Sequence, residues 1–200
     1  QGRYVDDIHL PEMAHAAFVR SPFAHARITG IETSAAKARD DVIAVFTIDD
    51  LRGQLTDTVM PVEQPSGALK LSASPSVLAD GEVRYVGEPV ACVIAKTAYA
   101  AEDAAALVDA SYDTLPVSAD YLSAIKDGSP KAHTGFDDNI VAGFKLAYGE
   151  IEGAFTRAAH VFREALNQHK GLGHAMECRG VAAWLDDRDR RLTVWSGTQM

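Results

Sequence analysis

The chain consists of short apolar runs separated by glycine, proline and charged residues. Several of these runs have the length and composition of β-strands, namely Met13–Arg20, His25–Thr33, Val42–Phe46, Val90–Ala95 and Ser111–Leu115. Val42–Phe46 and Val90–Ala95 are continuously apolar, whereas a strand with one solvated face alternates apolar and polar side chains. We therefore predict that these two strands are covered on both faces.

Turn residues indicate how the strands are joined. The proline of Ser21-Pro22-Phe23 lacks an amide donor, which favours a bend between the first two strands. Asp80-Gly81 is a strong turn signal and predicts a hairpin between Val77–Ala79 and Glu82–Tyr85. Gly87-Glu88-Pro89 then interrupts the pairing before the next strand begins.

One helix is predicted clearly, over Tyr99–Asp109, with Thr97 as its N-cap. Small apolar residues recur along it at spacings of three and four, at Ala101, Ala104, Ala105 and Val108. Such a stripe allows a helix to approach a sheet closely. Two shorter helices are predicted after Thr33-Ser34 and after Thr47, because side-chain oxygens at these positions can accept the free amides of a first turn.

These elements predict a first domain over residues 1–124, a linker over 125–148 and a second unit over 149–200. Arg52–Ser76 is rich in Pro, Gly and Ser and is expected to be a surface excursion. The second unit is predicted to contain a helix, Glu150–Ala158, and strands at Val161–His169, Arg179–Leu185 and Leu192–Ser196, with a turn at Asp186–Asp189. Because about fifty residues of this kind form a marginal core, we expect this unit to be incomplete.

Composition narrows the class of protein. The 19 basic and 28 acidic residues give a formal net charge of −9, which disfavours nucleic-acid binding. No apolar run approaches the roughly 20 residues of a membrane span, and the N-terminus has no signal-peptide pattern, so we expect a cytoplasmic location. Cys92 and Cys178 are the only cysteines, which is too few for an iron–sulfur cluster or a disulfide framework.

An ordered series of short motifs resembles one family, the large subunits of the molybdenum hydroxylases. In the first domain these are Gly2–Leu10 with Asp6-Asp7, Arg20-Ser21-Pro22, Ala24-His25-Ala26, Val77–Gly81, Val86–Ala91, Ala101–Ala106, and Tyr112 with Leu115 and Pro116. In the second unit they are Glu150–Ala159, Met176-Glu177 and Ser196–Gln199. Each motif is unspecific by itself, and their order over nearly the whole chain carries the resemblance. Gly2–Leu10 is similar to the first strand of the family.

The resemblance to this family, which includes xanthine dehydrogenase, aldehyde oxidase and aerobic carbon monoxide dehydrogenase, implies an α+β fold. An α/β-hammerhead domain would be followed by the beginning of a molybdopterin-binding domain. The family implies hydroxylation of a carbon centre, or oxidation of carbon monoxide, at a molybdenum–pterin site with water as the oxygen source. Electrons would leave through iron–sulfur clusters to FAD on partner chains or domains, in an enzyme that is expected to be a homo-oligomer.

The catalytic residues that the resemblance implies are not found in this chain. The family has a Gly-rich phenylalanine loop and a base glutamate near molybdenum, and no segment here matches either. We therefore assign no catalytic, cofactor-binding or metal-binding residue and expect a scaffold and docking segment that is inactive alone. The remainder of the molybdenum subunit and the iron–sulfur and flavin subunits are the expected partners.

Other polar groups in the sequence are weaker candidates for a functional site. His169, His174, Glu177 and Cys178 can all bind metals, but no turn motif brings them together, so structural or interface roles are favoured. Ser196-Gly197-Thr198 lacks the flanking glycines of a nucleophile elbow. Glu88 is interpreted as a turn residue, and His15 and His25 as core or hydrogen-bonded histidines.

Two alternatives to the enzyme-subunit hypothesis remain. A non-catalytic assembly module on the same fold would have a natural stop codon near Met200. A small metal-dependent hydrolase would use His169, His174 and Glu177, and replacement of His174 would then lower its metal content. The substrate cannot be inferred from these residues.

Overall fold

The structure, a computed structural model, describes residues 2, 4–60, 74–143, 145–168, 171 and 174–198. Its contacts divide the chain into two compact units, Glu12–Lys145 and the combination of Gln1–Pro11 with Leu146–Met200. The strands of the first unit are β1 (His15–Arg20), β2 (Ala26–Glu32), β3 (Val42–Thr47), β4 (Glu82–Val83), β5 (Pro89–Ala95) and β6 (Asp109–Thr114). Its helices are α1 (Ser34–Lys37), α2 (Ile48–Leu51), α3 (Ala98–Ala105) and α4 (Tyr121–Ala124).

Two antiparallel sheets of three strands make up the first unit. One has the order β1-β5-β3 and the other the order β4-β2-β6. The central strand of each sheet is joined to neighbours from distant parts of the chain: Phe18 pairs with Cys92 across β1 and β5, and Phe46 pairs with Cys92 from the other side. Long-range pairing therefore defines this α+β fold, and the strands predicted over residues 13–46, 90–95 and 111–115 are confirmed.

Helix α3 covers one face of the β1-β5-β3 sheet. Its Ala100, Ala101 and Ala104 are buried, and Ala104 packs with Val93 and Val45 of the sheet. The Thr97 hydroxyl accepts the Ala100 amide, which confirms the predicted N-cap. The helix is shorter than predicted because residue 109 already begins β6.

The hairpin predicted around Asp80-Gly81 is wrong. Gly81 has a φ of +71°, as a tight turn requires, but β4 pairs with β2 and not with Val77–Ala79. The Ala79 amide instead donates to the Pro89 carbonyl oxygen at 2.8 Å. Leu78 and Ala79 are buried in the core and form no strand beside β4, so the positive φ of Gly81 does not lead into a hairpin.

The second unit contains a 3₁₀ turn at Val5–Asp7, helix α5 (Ile151–Arg157) and the antiparallel pair β7 (Val181–Asp186) and β8 (Arg191–Ser196). The predicted helix, the last two strands and their turn are confirmed. The expected first strand at Gly2–Leu10 is wrong, since residues 5–7 are helical. Residues 161–168 of the predicted strand Val161–His169 form no strand, and the rest of that prediction lies outside the described residues.

The apolar side chains of this unit are largely exposed. Helix α5 buries none of its residues, and β7 buries only Ala182. Among the described residues, no helix is long and apolar enough to cross a membrane.

Candidate functional site

Two sequence motifs, Arg20-Ser21-Pro22 and Gly87-Glu88-Pro89, meet in the first unit. The Ser21 amide donates to the Glu88 carbonyl oxygen at 2.9 Å, and the Gly87 amide donates back to the Ser21 carbonyl oxygen at 2.8 Å. The Arg20 guanidinium donates to the Gly87 carbonyl oxygen at 2.8 Å. Gly87 has a φ of +91°, a conformation that strains any residue with a Cβ atom. The junction thus explains why a glycine stands at this position.

The Glu88 side chain stabilises this turn from its buried side. It is only 4% exposed, and its Oε2 accepts the Arg84 amide at 2.5 Å. Burial raises the pKa of Glu88, although hydrogen bonds from the Arg84 and Tyr85 amides and the Arg84 charge oppose the effect. The interpretation of Glu88 as a turn residue agrees with these contacts.

A second buried carboxylate, Glu82 on β4, holds the segment around Thr134. Its oxygens accept the Thr134 hydroxyl at 2.5 Å and the Thr134 amide at 3.2 Å. The Arg84 Nε–H donates to the same carboxylate at 3.1 Å. Burial alone would raise the pKa of Glu82, but the bonds from Thr134 and the charge of Arg84 outweigh it, so the pKa is lowered. Glu82 is therefore an ionised anchor that fastens residues 132–136 to the sheet.

Two histidines lie beside this anchor. His25 is buried, and its Nδ1 lies 2.7 Å from the Pro116 carbonyl oxygen, which confirms the expectation of a buried, hydrogen-bonded histidine. The His133 ring stacks on Phe136 with 4.7 Å between ring centroids. Burial and the Arg84 charge lower the pKa of His133, while Glu82 acts in the opposite direction. A neutral, stacked His133 is consistent with a packing role.

The anchor lines an open cleft of about 470 Å³ within the first unit. Its walls carry both signs of charge, and they are formed by Arg27, Ile28, Asp80, Gly81, Glu82, Arg84, His133, Thr134, Gly135 and Phe136. The acidic side chains are already paired, Asp80 with Arg52 and Glu82 with Thr134 and Arg84. The cleft contains no activated nucleophile. Its polar contacts, above all the clamp formed by Glu82 and Thr134, hold the segment that follows α4 against the sheet.

Sequence reasoning did not single out Glu82 or Thr134. They are 52 positions apart, and neither belongs to a periodic pattern or a catalytic motif. The only local signal was Glu82 directly after the Asp80-Gly81 turn, where the chain enters a strand.

The metal candidates of the second unit are not assembled by the described residues. His169 lies outside the described residues, and His174 and Cys178 are exposed. Glu177 is engaged elsewhere, since its Oε1 accepts the Val5 amide at 2.5 Å. Within the described ranges, no group of three or more His, Cys, Asp or Glu side chains could hold a metal ion.

Glu177 also explains the local structure at the end of β8. A Cβ atom at Gly197 would lie 3.2 Å from the Glu177 Oε2, so only glycine fits without movement of the carboxylate. The Gly197 amide donates to the Gly180 carbonyl oxygen at 3.0 Å. The Ser196 and Thr198 hydroxyls lie 3.0 Å apart and pair with each other, as expected of a polar strand end.

The described helix start after Gly149 does not fit the pyrophosphate of the molybdenum–pterin group that the resemblance implies. A pyrophosphate needs backbone amides at a glycine-rich loop or a helix start. Gly149 precedes α5, but Glu150 occupies the N-cap position of this short helix and Glu152 lies in its first turn, so an anion would be repelled. We derive no cofactor contact from these residues.

Comparison with known proteins shows the family to which this chain belongs. Residues 1–116 match the family model described as the aldehyde oxidase and xanthine dehydrogenase α/β-hammerhead domain. Residues 132–200 match the molybdopterin cofactor-binding domain model. The first match starts before the Glu12–Lys145 unit, and the second starts within it.

Individual relatives agree with these matches. The chain is 36% identical over its full length to the nicotine 6-hydroxylase large subunit of Paenarthrobacter nicotinovorans, of which it covers 24%. It is 34% identical to the carbon monoxide dehydrogenase large chain of Afipia carboxidovorans, of which it covers 25%. The crystal structure of quinoline 2-oxidoreductase from Pseudomonas putida 86 matches all of this chain and 25% of its own, with a TM-score of 0.84 and 34% identity. The chain thus spans about a quarter of these proteins, and it belongs to the aldehyde oxidase and xanthine dehydrogenase family, as a hammerhead domain with the start of a molybdopterin-binding domain.

Proposed function

We propose that this chain is the N-terminal part of the large, molybdenum-bearing subunit of an oxidoreductase. The complete enzyme would hydroxylate a carbon centre or oxidise carbon monoxide, with water as the oxygen source. The observation that carries the proposal is the order of the two family matches, hammerhead at 1–116 and cofactor-binding domain at 132–200. The small share of each relative that the chain covers supports a part of a larger subunit.

Within that subunit the chain acts as scaffold and docking surface. The buried carboxylates support this role, because Glu82 and Glu88 are both occupied by hydrogen bonds that hold loops together. The domain limits 1–124 and 149–200, with a linker at 125–148, stay a prediction. Contacts in the structure group residues 125–145 with the hammerhead strands, so we expect this stretch to resist proteolysis better than a free linker.

The remaining parts of the reaction belong to residues and chains outside these 200 positions. A molybdenum–pterin cofactor, when bound to the complete subunit, would supply the redox centre at which water-derived oxygen reaches the substrate. Iron–sulfur clusters and FAD on partner chains would carry the electrons, in a cytoplasmic homo-oligomer. The names of the relatives, "large subunit" and "large chain", support such an assembly.

Metal analysis of two proteins tests the proposal. The DNA downstream of codon 200 is read first, and the complete reading frame and the 200-residue chain are then produced under identical conditions with molybdenum cofactor synthesis active. We expect stoichiometric molybdenum in the complete subunit and none in the 200-residue chain. Stoichiometric molybdenum in the short chain, or a stop codon directly after codon 200 with no catalytic partner encoded nearby, would contradict the proposal.

A further inference from the structure

The β1-β5-β3 sheet has a second face that, among the described residues of the first unit, no helix covers in the way that α3 covers the first. Side chains alternate across a strand, and directly paired residues share a face. The registers Ala16–Ile94–Ala44 and Phe18–Cys92–Phe46 therefore form two adjacent rows on the face opposite α3. We call these six residues the open apolar face. None of them is fully buried, and Phe18 is 46% exposed.

This face contains no polar side chain. An antiparallel sheet that turns one face to water shows polar residues there, alternating with the apolar residues of its core face. Val42–Phe46 and Val90–Ala95 instead have the continuously apolar sequence that is typical of strands covered on both faces. At the margin, the Arg20 guanidinium lies over the Phe18 ring at 5.5 Å and donates to the Gly87 carbonyl oxygen, which holds its charge at the edge of the face. The pattern and the exposure together indicate a missing cover.

The size of the face limits what can cover it. Three strands spaced by about 4.8 Å, with two rows of side chains along them, present roughly 200 Å². A stable contact between separate proteins buries about 800 Å² on each partner. A single helix, about 10 Å across, or a strand pair matches the open apolar face better. A longer subunit has enough chain to supply such an element, because three quarters of the relatives' length lies outside the matched region.

We infer that an uncharged, apolar helix or strand pair from the remainder of the same molybdenum subunit packs on the open apolar face. This inference rests on the proposed function, because it requires the longer subunit. The hammerhead sheet would then be the middle layer between α3 and the later segment. Docking of that segment would complete the core of the subunit.

Cysteine accessibility tests the inference. Ala16→Cys places a thiol at the exposed edge of the open apolar face, and Ala35→Cys is the matched control on the exposed side of α1. Tryptic peptides 4–20 and 28–37 report the two sites and contain no native cysteine. N-ethylmaleimide labelling rates are compared in the 200-residue chain, in the complete subunit alone and in the assembled enzyme.

We expect labelling at position 16 to slow at least tenfold in the complete subunit alone, with no further change on assembly, while labelling at position 35 changes less than twofold. Protection that arises only in the assembled enzyme would overturn the inference, because another subunit would then be the cover. Unchanged labelling, or equal protection at both positions, would overturn it as well. Molybdenum in the same complete-subunit sample reports on the proposed function separately.

A second variant keeps the test independent of labelling chemistry. Phe18→Glu puts a charge on the open apolar face, and Tyr99→Glu does the same on the solvent side of α3, where Tyr99 is 83% exposed. In the 200-residue chain we expect Tyr99→Glu to leave the urea midpoint near its original value and Phe18→Glu to lower it slightly, because the contact with Arg20 is lost. In the complete subunit Phe18→Glu should lower the midpoint much further, whereas Tyr99→Glu should again have little effect. An equal shift for Phe18→Glu in the short chain and in the complete subunit would overturn the inference.

Discussion

The clamp between Glu82 and Thr134 gives a prediction whose magnitude can be worked from the structure. Thr134→Val removes the hydroxyl that donates to the Glu82 carboxylate and keeps the size of the side chain. A hydrogen bond to a charged group contributes about 1.5–3 kcal/mol when it is buried. Thr134 is exposed, and the carboxylate keeps the Thr134 amide and the Arg84 Nε–H as donors. We therefore expect the free energy of unfolding to fall by about 1 kcal/mol.

Two measurements on the 200-residue chain check this value. Urea unfolding followed by circular dichroism gives the global change, and hydrogen exchange of the peptide that contains residues 132–136 gives local opening. Glu82→Gln and the double variant complete a mutant cycle, in which we expect a coupling of about 0.5 kcal/mol, because glutamine keeps one acceptor oxygen. Thr114→Val, at an exposed position of β6, is the matched control and should change stability by less than about 0.5 kcal/mol.

Glutamine at position 82 keeps one oxygen that can accept the Thr134 hydroxyl, so the cycle measures what the carboxylate charge adds to this hydrogen bond. Zero coupling, together with unchanged hydrogen exchange in residues 132–136 on Thr134→Val, would refute the clamp. Because both variants preserve the volume of the side chain, a packing defect would not mimic the coupling.

Three further predictions concern single residues. Burial raises the pKa of Glu88, so the stability that this side chain contributes is present at low pH and is lost as the pH rises above 4.5, the usual pKa of a glutamate. Glu88→Gln should therefore gain stability relative to the parent between about pH 4 and 7 in urea titrations, and a stability difference that does not change with pH would contradict this. Thr97→Ala removes the N-cap acceptor of the Ala100 amide and should cost about 1 kcal/mol, seen as a lower urea midpoint. Gly87→Ala, at a φ of +91°, should cost roughly 1–2 kcal/mol, whereas Gly30→Ala, where the added Cβ meets nothing within 4 Å, should be close to neutral.

Local signals predicted most of the elements of the first unit. Apolar runs gave β1, β3 and β5, and the Thr47 and Thr97 side chains marked the starts of α2 and α3 correctly. The partner of β4 was missed, because the Asp80-Gly81 turn is compatible with a hairpin and the alternative depends on a distant strand, β2. Strand pairing of this kind is set by burial across the whole sheet and leaves no local pattern.

In the second unit, an apolar segment that predicts a strand does not form one. Residues 161–168 have the apolar content of a strand, yet Phe162 is 89% exposed and the segment pairs with no described strand. A strand needs a neighbour, and the sequence of an isolated segment does not say whether one is present. The Glu82 clamp escaped prediction for a related reason, since two polar residues 52 positions apart carry no periodicity.

The position of β5 has a consequence for synthesis of the protein. This strand lies between β1 and β3 and pairs with both, although it is made after them. While a ribosome is still translating the region before Pro89, the two earlier strands have no bridge between them and their backbone groups stay hydrated. A nascent chain at that stage exposes unpaired strand edges, which can pair with other chains. Chaperone protection would therefore matter most before residue 95 has emerged from the ribosome.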